Sequence, residues 1–432
     1  MSAVPLVRAE DIPLPRRLLA FALILLGYIF YSYAWNTVDV LRPYIRAASG
    51  LSLQQAGLLY SAQSMGALAG ALLIGQLADR HGRRLLLVVI TVGYGLALLA
   101  GLVATTLAAL LAQRLVLGLF LGGMFSVAVG LYVGLFALSV RGRLASVVGV
   151  MFSLGVVLQG WLGTLLLERD WTLMLWAGGL PPLFIAVLTW WAVPDDRHVV
   201  AYGSTPGSTP GSTPGSTPGT NPGKPATAPK LPIMELFRPE HRRRTLLITL
   251  MSALGFFAYQ GFAGWVTTYL KEVRGLGGAG IGALVAWQGV GGIVGGFFWG
   301  WVADRWGRRI GAVGFFLAAA IIVAYLRAPS TLWLLTAIGA AFGFLISSSV
   351  AWGPYFAELY PPHLRSTAAS IFHWGRVLSF LAPAVTAGVA DAFGLTTGMM
   401  AAAAIYALCG GVWLLLPETL KRPSAAAPSG VS

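Results

Sequence analysis

The sequence predicts an all-α membrane protein whose twelve transmembrane helices form two pseudo-symmetric six-helix bundles. Three observations carry that expectation. Hydrophobic residues make up 57% of the 432 positions and charged residues only 10%, against roughly 25% charged in a soluble domain. Apolar runs of about 20 residues, long enough to cross about 30 Å of hydrocarbon, recur throughout. A charged element is also written twice, as Gly75-Gln76-Leu77-Ala78-Asp79-Arg80-His81-Gly82-Arg83-Arg84 and, half a chain later, as Gly300-Trp301-Val302-Ala303-Asp304-Arg305-Trp306-Gly307-Arg308-Arg309. Both copies read Gly-x-x-x-Asp-Arg-x-Gly-Arg-Arg, so the chain consists of two related halves.

The elements follow in order. The first run, 18–41, comes after Arg16-Arg17 and lacks the small-residue cleavage site of a signal peptide. It is expected to stay as a span. Runs at 53–77 and 85–105 flank the first charged element, and 108–136, 144–167 and 172–193 complete the first half. The second half holds 245–270, 279–303, 310–327, 331–357, 366–390 and 395–416, with the second copy again between its second and third runs. Between the halves, Gly203–Pro229 repeats Gly-Ser-Thr-Pro. Proline at every fourth position blocks helix and sheet, and nothing there can bury apolar area. The expected division is an N-terminal bundle at 1–200, a disordered linker at 201–230 and a C-terminal bundle at 231–432. A short amphipathic surface helix is expected at 231–237.

An even number of spans puts both termini on one side. Most of the 29 Lys and Arg residues lie in loops on that side, whereas the opposite loops carry Arg42, Arg46, Arg169, Lys271, Arg274 and Arg327. The positive-inside rule then places both termini in the cytoplasm, the chain being set in the plasma (inner) membrane. The net charge of +14 is spread over several loops, where lipid headgroups are the expected contact. Nucleic acid is not an expected partner. Cys409 is the single cysteine and reads as a buried inert thiol. No metal-spaced cluster, nucleophile elbow or phosphate-binding glycine loop occurs, so neither enzyme, cofactor nor metal is expected. A monomer is expected.

The duplicated element resembles the loop signature of the major facilitator superfamily, where it joins the second and third helices of each six-helix half. Three further stretches resemble that family. Arg114-x-x-x-Gly118-x-x-x-Gly122 lies in the fourth run, with glycines that admit a close helix neighbour and an arginine facing an interior. Glu358-Leu359-Tyr360-Pro361-Pro362-His363-Leu364-Arg365 is similar to a Glu-x-x-Pro-x-x-x-Arg loop, and Pro417-Glu418-Thr419 to the ending of sugar and metabolite porters. The resemblance implies the major facilitator fold and alternating access. Gly75, Asp79, Arg80, Gly82, Arg83, Arg84, Gly300, Asp304, Arg305, Gly307, Arg308, Arg309, Glu358 and Arg365 then read as a cytoplasmic gate. In it Asp79 and Asp304 accept bonds from the following arginines and cap a neighbouring helix.

Substrate chemistry is expected near the midplane, between the halves. His373 and Arg376 stand at i and i+3 in the eleventh run, on one helical face. Arg376 lies eleven residues inward from Arg365, roughly 16 Å deep at 1.5 Å per residue. A cation at that depth needs an anionic partner from protein or substrate. The first run offers Asn36 and Asp39, the fifth Gln159 and Trp161, the seventh Tyr259, Gln260, Trp265, Thr267 and Thr268, the eighth Trp287 and Gln288, and the tenth Tyr355. Plainer readings stay open: Asp39 as an outer salt bridge to Arg42, and Trp265 as an interfacial anchor.

Phe257–Leu270, Phe372–Arg376 and the porter-like ending resemble the metabolite–proton symporters of the superfamily, which move sialic, lactic, aromatic and other organic acids. The chain departs from the aromatic-acid group at Tyr31-Ser32-Tyr33-Ala34, where that group has an acidic pair around Gly-Phe. This speaks against an aromatic acid. The expected function is symport of a small organic anion with protons. Arg376 would pair with the carboxylate, and His373, a residue that titrates near about 6.5, or Asp39 would carry the proton. Asn36, Tyr259, Gln260, Gln159, Trp287, Gln288 and Tyr355 would line the site. The alternatives are a sugar or metabolite porter, or a proton-driven exporter of drugs or amphipathic compounds, marked by an aromatic-dominated pocket with Arg376 paired internally.

Overall fold

A computed structural model describes residues 7–203, 232–361 and 379–420, with isolated positions 364, 368, 371 and 375 between the last two segments. The N-terminal half holds α1 (Leu14–Ser49), α2 (Leu53–His81), α3 (Arg83–Leu99), α4 (Leu107–Leu135), α5 (Leu138–Leu166) and α6 (Leu173–Ala192). The C-terminal half holds α7 (Pro239–Thr268), α8 (Gly278–Trp306), α9 (Gly311–Arg327), α10 (Leu332–Ile346), α11 (Ala382–Phe393) and α12 (Leu395–Leu414). A π-helical turn, Tyr269–Val273, extends α7, and α10 continues through a 3-10 stretch, Ser347–Ala351, into Trp352–Glu358. Eleven of the described helices are long and apolar enough to cross a membrane. The expected run at 366–390 falls largely outside the described residues. Pro232–Glu235 makes one helical turn where a surface helix was expected, and Val7–Arg8 pairs in parallel with Val199–Val200.

Local chemistry accounts for several helix ends. Ser52 and Gln55 form a capping box at the start of α2, each side chain accepting from the other's backbone N–H. The second glycine of each charged element closes a helix. Gly82 ends α2 with φ 91° and Gly307 ends α8 with φ 112°, a left-handed region that only glycine enters without steric cost. That requirement explains why this glycine recurs in both copies.

The halves are built alike. α4 lies so close to α2 that a Cβ on Gly118 would come within 1.9 Å of the Gln63 carbonyl oxygen, and one on Gly122 within 2.0 Å of that of Ala67. In the second half, a Cβ on Gly291 would meet the Ala340 carbonyl at 2.0 Å and one on Gly343 that of Gln288 at 2.1 Å. Lipid tails are as apolar as leucine, so backbone proximity and dispersion hold such helices together.

Between the halves, α5 meets α8 through Gly160 and Gly282, where added Cβ atoms would lie 2.2 Å from the backbone of Ala286 and Thr164. Ser61 of α2 donates to the Phe380 carbonyl at 2.6 Å, and α1 is bonded to α7. These contacts lie away from the helix ends that carry the duplicated element. Among the described residues, the ion pairs at the motif end each stay within one half.

Candidate functional site

A cavity of about 230 Å³ lies between the halves. Trp35, Tyr60 and Phe152 wall it on the N-terminal side, and Phe256, Tyr259, Phe315, Trp352 and Tyr406 on the other. Its polar groups are Asn36, Ser153, Gln260, Gln288, Ser347 and Ser349. Helical spacing explains the α7 contribution, since Phe256, Tyr259 and Gln260 stand at i, i+3 and i+4 on one face. Four expected ligands, Asn36, Tyr259, Gln260 and Gln288, line this cavity together.

Three others do not. Trp287 is 53% exposed on the outer surface, because one residue along a helix turns the side chain by about 100° and Gln288 takes the inward face. The Tyr355 hydroxyl donates to the Pro417 carbonyl at 2.7 Å, which ties it to the C-terminal segment. Gln159 is buried and donates to Thr37 Oγ1 at 3.1 Å, joining α5 to α1. Trp265 is fully buried, so it is not an interfacial anchor. His373, Arg376 and Arg365 lie outside the described residues.

Beside the cavity sits a charge cluster. Among the described residues the buried charged side chains are Asp39, Arg42 and Arg114. Asp39 Oδ1 accepts from Arg42 Nη2 at 2.7 Å and Oδ2 from Gln260 Nε2 at 3.5 Å. Arg114 Nη1 donates to Gln63 Oε1 at 3.4 Å, and Gln63 Nε2 to the Trp35 carbonyl at 2.9 Å. Two cations thus share one carboxylate in a low-dielectric interior, a balance that favours a further anion nearby. Hydropathy ended the first span at position 41 and left Arg42 in a loop, whereas α1 runs on to Ser49. The i, i+3 spacing of Asp39 and Arg42 was the signal that could have placed it.

At the motif end, Asp79 pairs with Arg83 at 3.5 Å and Asp304 with Arg308 at 2.6 Å. Both carboxylates are exposed, at 73% and 71%, and among the described residues neither caps a neighbouring helix. The caps come from elsewhere. Asp196 accepts from the backbone N–H groups of Arg83 and Arg84, at 2.9 and 3.1 Å. Glu418 accepts from those of Arg308 and Arg309, at 2.9 and 3.0 Å. Pro194-Asp195-Asp196 and Pro417-Glu418 follow the last helix of each half, so the two halves use equivalent acids. Arg84 also pairs with Asp195 at 2.9 Å, and Arg308 with Glu358 at 2.8 Å. Arg309 donates to the Leu414 carbonyl. Arg80 and Arg305 are exposed, and added Cβ atoms at Gly75 and Gly300 would meet open space.

Burial alone would raise the Glu418 carboxyl, but backbone N–H groups of Leu420, Arg309, Arg308 and Thr419 hold it below its ordinary value of 4.5. A lowered folded value means the cap is fully present above pH 4.5 and is lost as pH falls through the folded value. Glu418→Gln should therefore destabilise the protein by about 1 kcal/mol near neutrality. The gap to wild type should shrink in acid, as read by unfolding in detergent. Equal stability at pH 7 would show that Glu418 is not a stabilising cap.

Two helical bundles meeting around a cavity walled by both define a membrane transporter. The chain belongs to the Major Facilitator Superfamily, which it matches over residues 24–285 and 275–431. It is 29% identical to the gallate transporter of Pseudomonas putida over 366 residues, 82% of this chain and 80% of that protein. It is 26% identical to the cis,cis-muconate transport protein of Acinetobacter baylyi, covering 85% of this chain and 86% of that protein. Among solved structures, a bacterial homolog of the human lysosomal transporter Spinster, in an inward-facing and unoccupied conformation, superposes with a TM-score of 0.73. That pair shares 17% identity over 93% of this chain and 97% of the other, a likeness of fold alone.

Proposed function

We propose that this transporter carries small carboxylates with a flat ring or conjugated chain, in symport with protons, by alternating access. The observation that carries the reading is an aromatic-walled cavity beside a buried cluster with one more cation than anion. Aromatic walls offer stacking and edge contacts to a flat apolar body, and the excess cation favours a carboxylate. The volume, about 230 Å³, lies below the roughly 300–1,000 Å³ of pockets for drug-sized ligands, in keeping with a single ring. The gallate and muconate transporters support the same substrate class. They weigh in favour of an aromatic acid, against the expectation drawn from Tyr31–Ala34.

In this scheme Asn36, Tyr259, Gln260 and Gln288 contact the substrate, Arg376 pairs with its carboxylate, and Asp39 or His373 carries the proton. The bundles at 1–200 and 231–432 rock about the cavity, and 201–230 is the tether between them. The protein works as a monomer among the lipids of the inner membrane, with the motif end and both termini in the cytoplasm. The charged elements form the gate at that end.

The aromatic walls also favour a second reading, export of amphipathic compounds, against which the relatives' substrates weigh. Counterflow in proteoliposomes separates the two, using labelled aromatic and unsaturated carboxylates, their methyl esters, sugars and cationic dyes. Carboxylates should exchange, esters should not, and an inward proton gradient should drive accumulation. Exchange of dyes without carboxylates would establish the exporter and end the symporter reading.

A further inference from the structure

Arg42 belongs to α1, yet its guanidinium reaches across to the other half. Nη2 donates to Asp39 on its own helix at 2.7 Å, while Nη1 donates to the Gly264 carbonyl of α7. The guanidinium carbon lies 4.4 Å from the centroid of the Trp265 ring, also on α7. That position is both an ion pair and a cation–π contact, shielded from water on every side. Around it α1 and α7 meet in a zipper. The Thr267 hydroxyl donates to the Asp39 carbonyl, Arg46 pairs with Glu272 at 2.7 Å, and Lys271 Nζ lies 3.3 Å over the Tyr44 ring. The α7 contacts at 260, 264, 267 and 271 follow helical spacing along one stripe. The π-helical turn at Tyr269–Val273 falls at the end of that stripe, and such turns often mark functional positions.

We propose that Arg42 is the pin of the far-end gate. Its guanidinium holds α1 against α7, and opening away from the motif end requires it to leave both Gly264 and Trp265. The inference rests on the reading of the chain as an alternating-access transporter. Burial distinguishes Arg42 from the neighbouring pair. The Arg46 and Glu272 side chains are 32% and 28% exposed, so water screens them and their contribution is small. Arg42 is fully buried, and removing one partner from a buried charged contact is far more disruptive.

The test reads gate opening without reference to any substrate. Cys409 is the single cysteine, so Cys409→Ser provides a cysteine-free background. Thr268→Cys then places a thiol on the same face of α7, four residues beyond Gly264, where Thr268 is fully buried. Maleimide labelling of the folded protein in detergent is timed with Arg42 present, and with Arg42→Gln or Arg46→Gln. Arg42→Gln should label at least tenfold faster, whereas Arg46→Gln should stay within twofold of the parent. Arg42→Lys retains the charge but cannot serve the carbonyl, the carboxylate and the ring together, so an intermediate rate is expected. It carries the test if Arg42→Gln does not fold. Parent-like labelling in Arg42→Gln or, where that variant is unfolded, in Arg42→Lys would overturn the proposal. So would equal acceleration by Arg46→Gln. Failure of the carboxylate panel would leave this result standing, and failure of the labelling would leave the substrate reading intact.

Discussion

Arg376→Gln should abolish binding of the carboxylate substrate at usable concentrations. A charge-assisted pair in a dry site is worth about 2–5 kcal/mol when one partner is truncated. At 1.4 kcal/mol per decade that is a loss of roughly 30- to several-thousand-fold. The expectation rests on the depth of Arg376 in the eleventh apolar run and on the shortage of intramembrane anions in the sequence. Arg376→Lys should rescue poorly, because an ammonium cannot grip a carboxylate with two parallel bonds. Whatever weak binding a neutral ester shows should be the same in both variants as in wild type. Calorimetry on purified protein decides the matter. Binding within threefold of wild type by Arg376→Gln would make Arg376 structural and leave the preference for an anion to the buried Arg42 and Arg114.

The second large effect is expected at Asp39. It is the buried carboxylate among the described residues, held by Arg42, Gln260 and the nearby Arg114. An asparagine keeps the shape but takes no proton. Asp39→Asn should therefore reduce proton-driven accumulation to background, while counterflow, which needs no net proton movement, continues. Asp39→Glu should recover part of the accumulation. Removing one partner of a buried pair is destabilising, so elution as a single folded species is the first check on each variant. Accumulation at the wild-type level in Asp39→Asn would pass the proton to another group, with His373 the next candidate. Loss of counterflow as well would give Asp39 a role in binding or structure instead.

The cavity was partly legible from its sequence. Asn36, Tyr259, Gln260 and Gln288 were polar residues in apolar runs, and the structure brings them together. Trp287 met the same criterion and faces outward. Polarity marks a residue as unusual in a membrane span, but not the face of the helix on which it sits. Gln159 and Tyr355 show the other failure, since both are polar and inward yet line no part of the cavity, Gln159 donating to Thr37 of α1 and Tyr355 to the Pro417 carbonyl. The pairing of Arg42 with Asp39 was readable, but its burial inside α1 was not, because hydropathy ends a span at the first charge and a helix whose charge is buried continues past it.

By itself the sequence determined the membrane class, the two related halves and the family. Those properties are written along one dimension, as the length of apolar runs and as a motif repeated at a fixed place. That some helix packs closely on α4 was also readable, because glycine spacing in a helix has one dominant use; that it is α2 was not. Tertiary structure alone decided which faces meet. Helices surrounded by lipid are apolar on the lipid side and on the packed side alike, so the polar-to-apolar contrast that orients a soluble helix is weak here. It also decided that Asp196 and Glu418 cap the helices that follow the two charged elements, and that Arg42 crosses to Gly264. Each of those contacts joins residues more than a hundred positions apart, a distance over which local spacing carries no information.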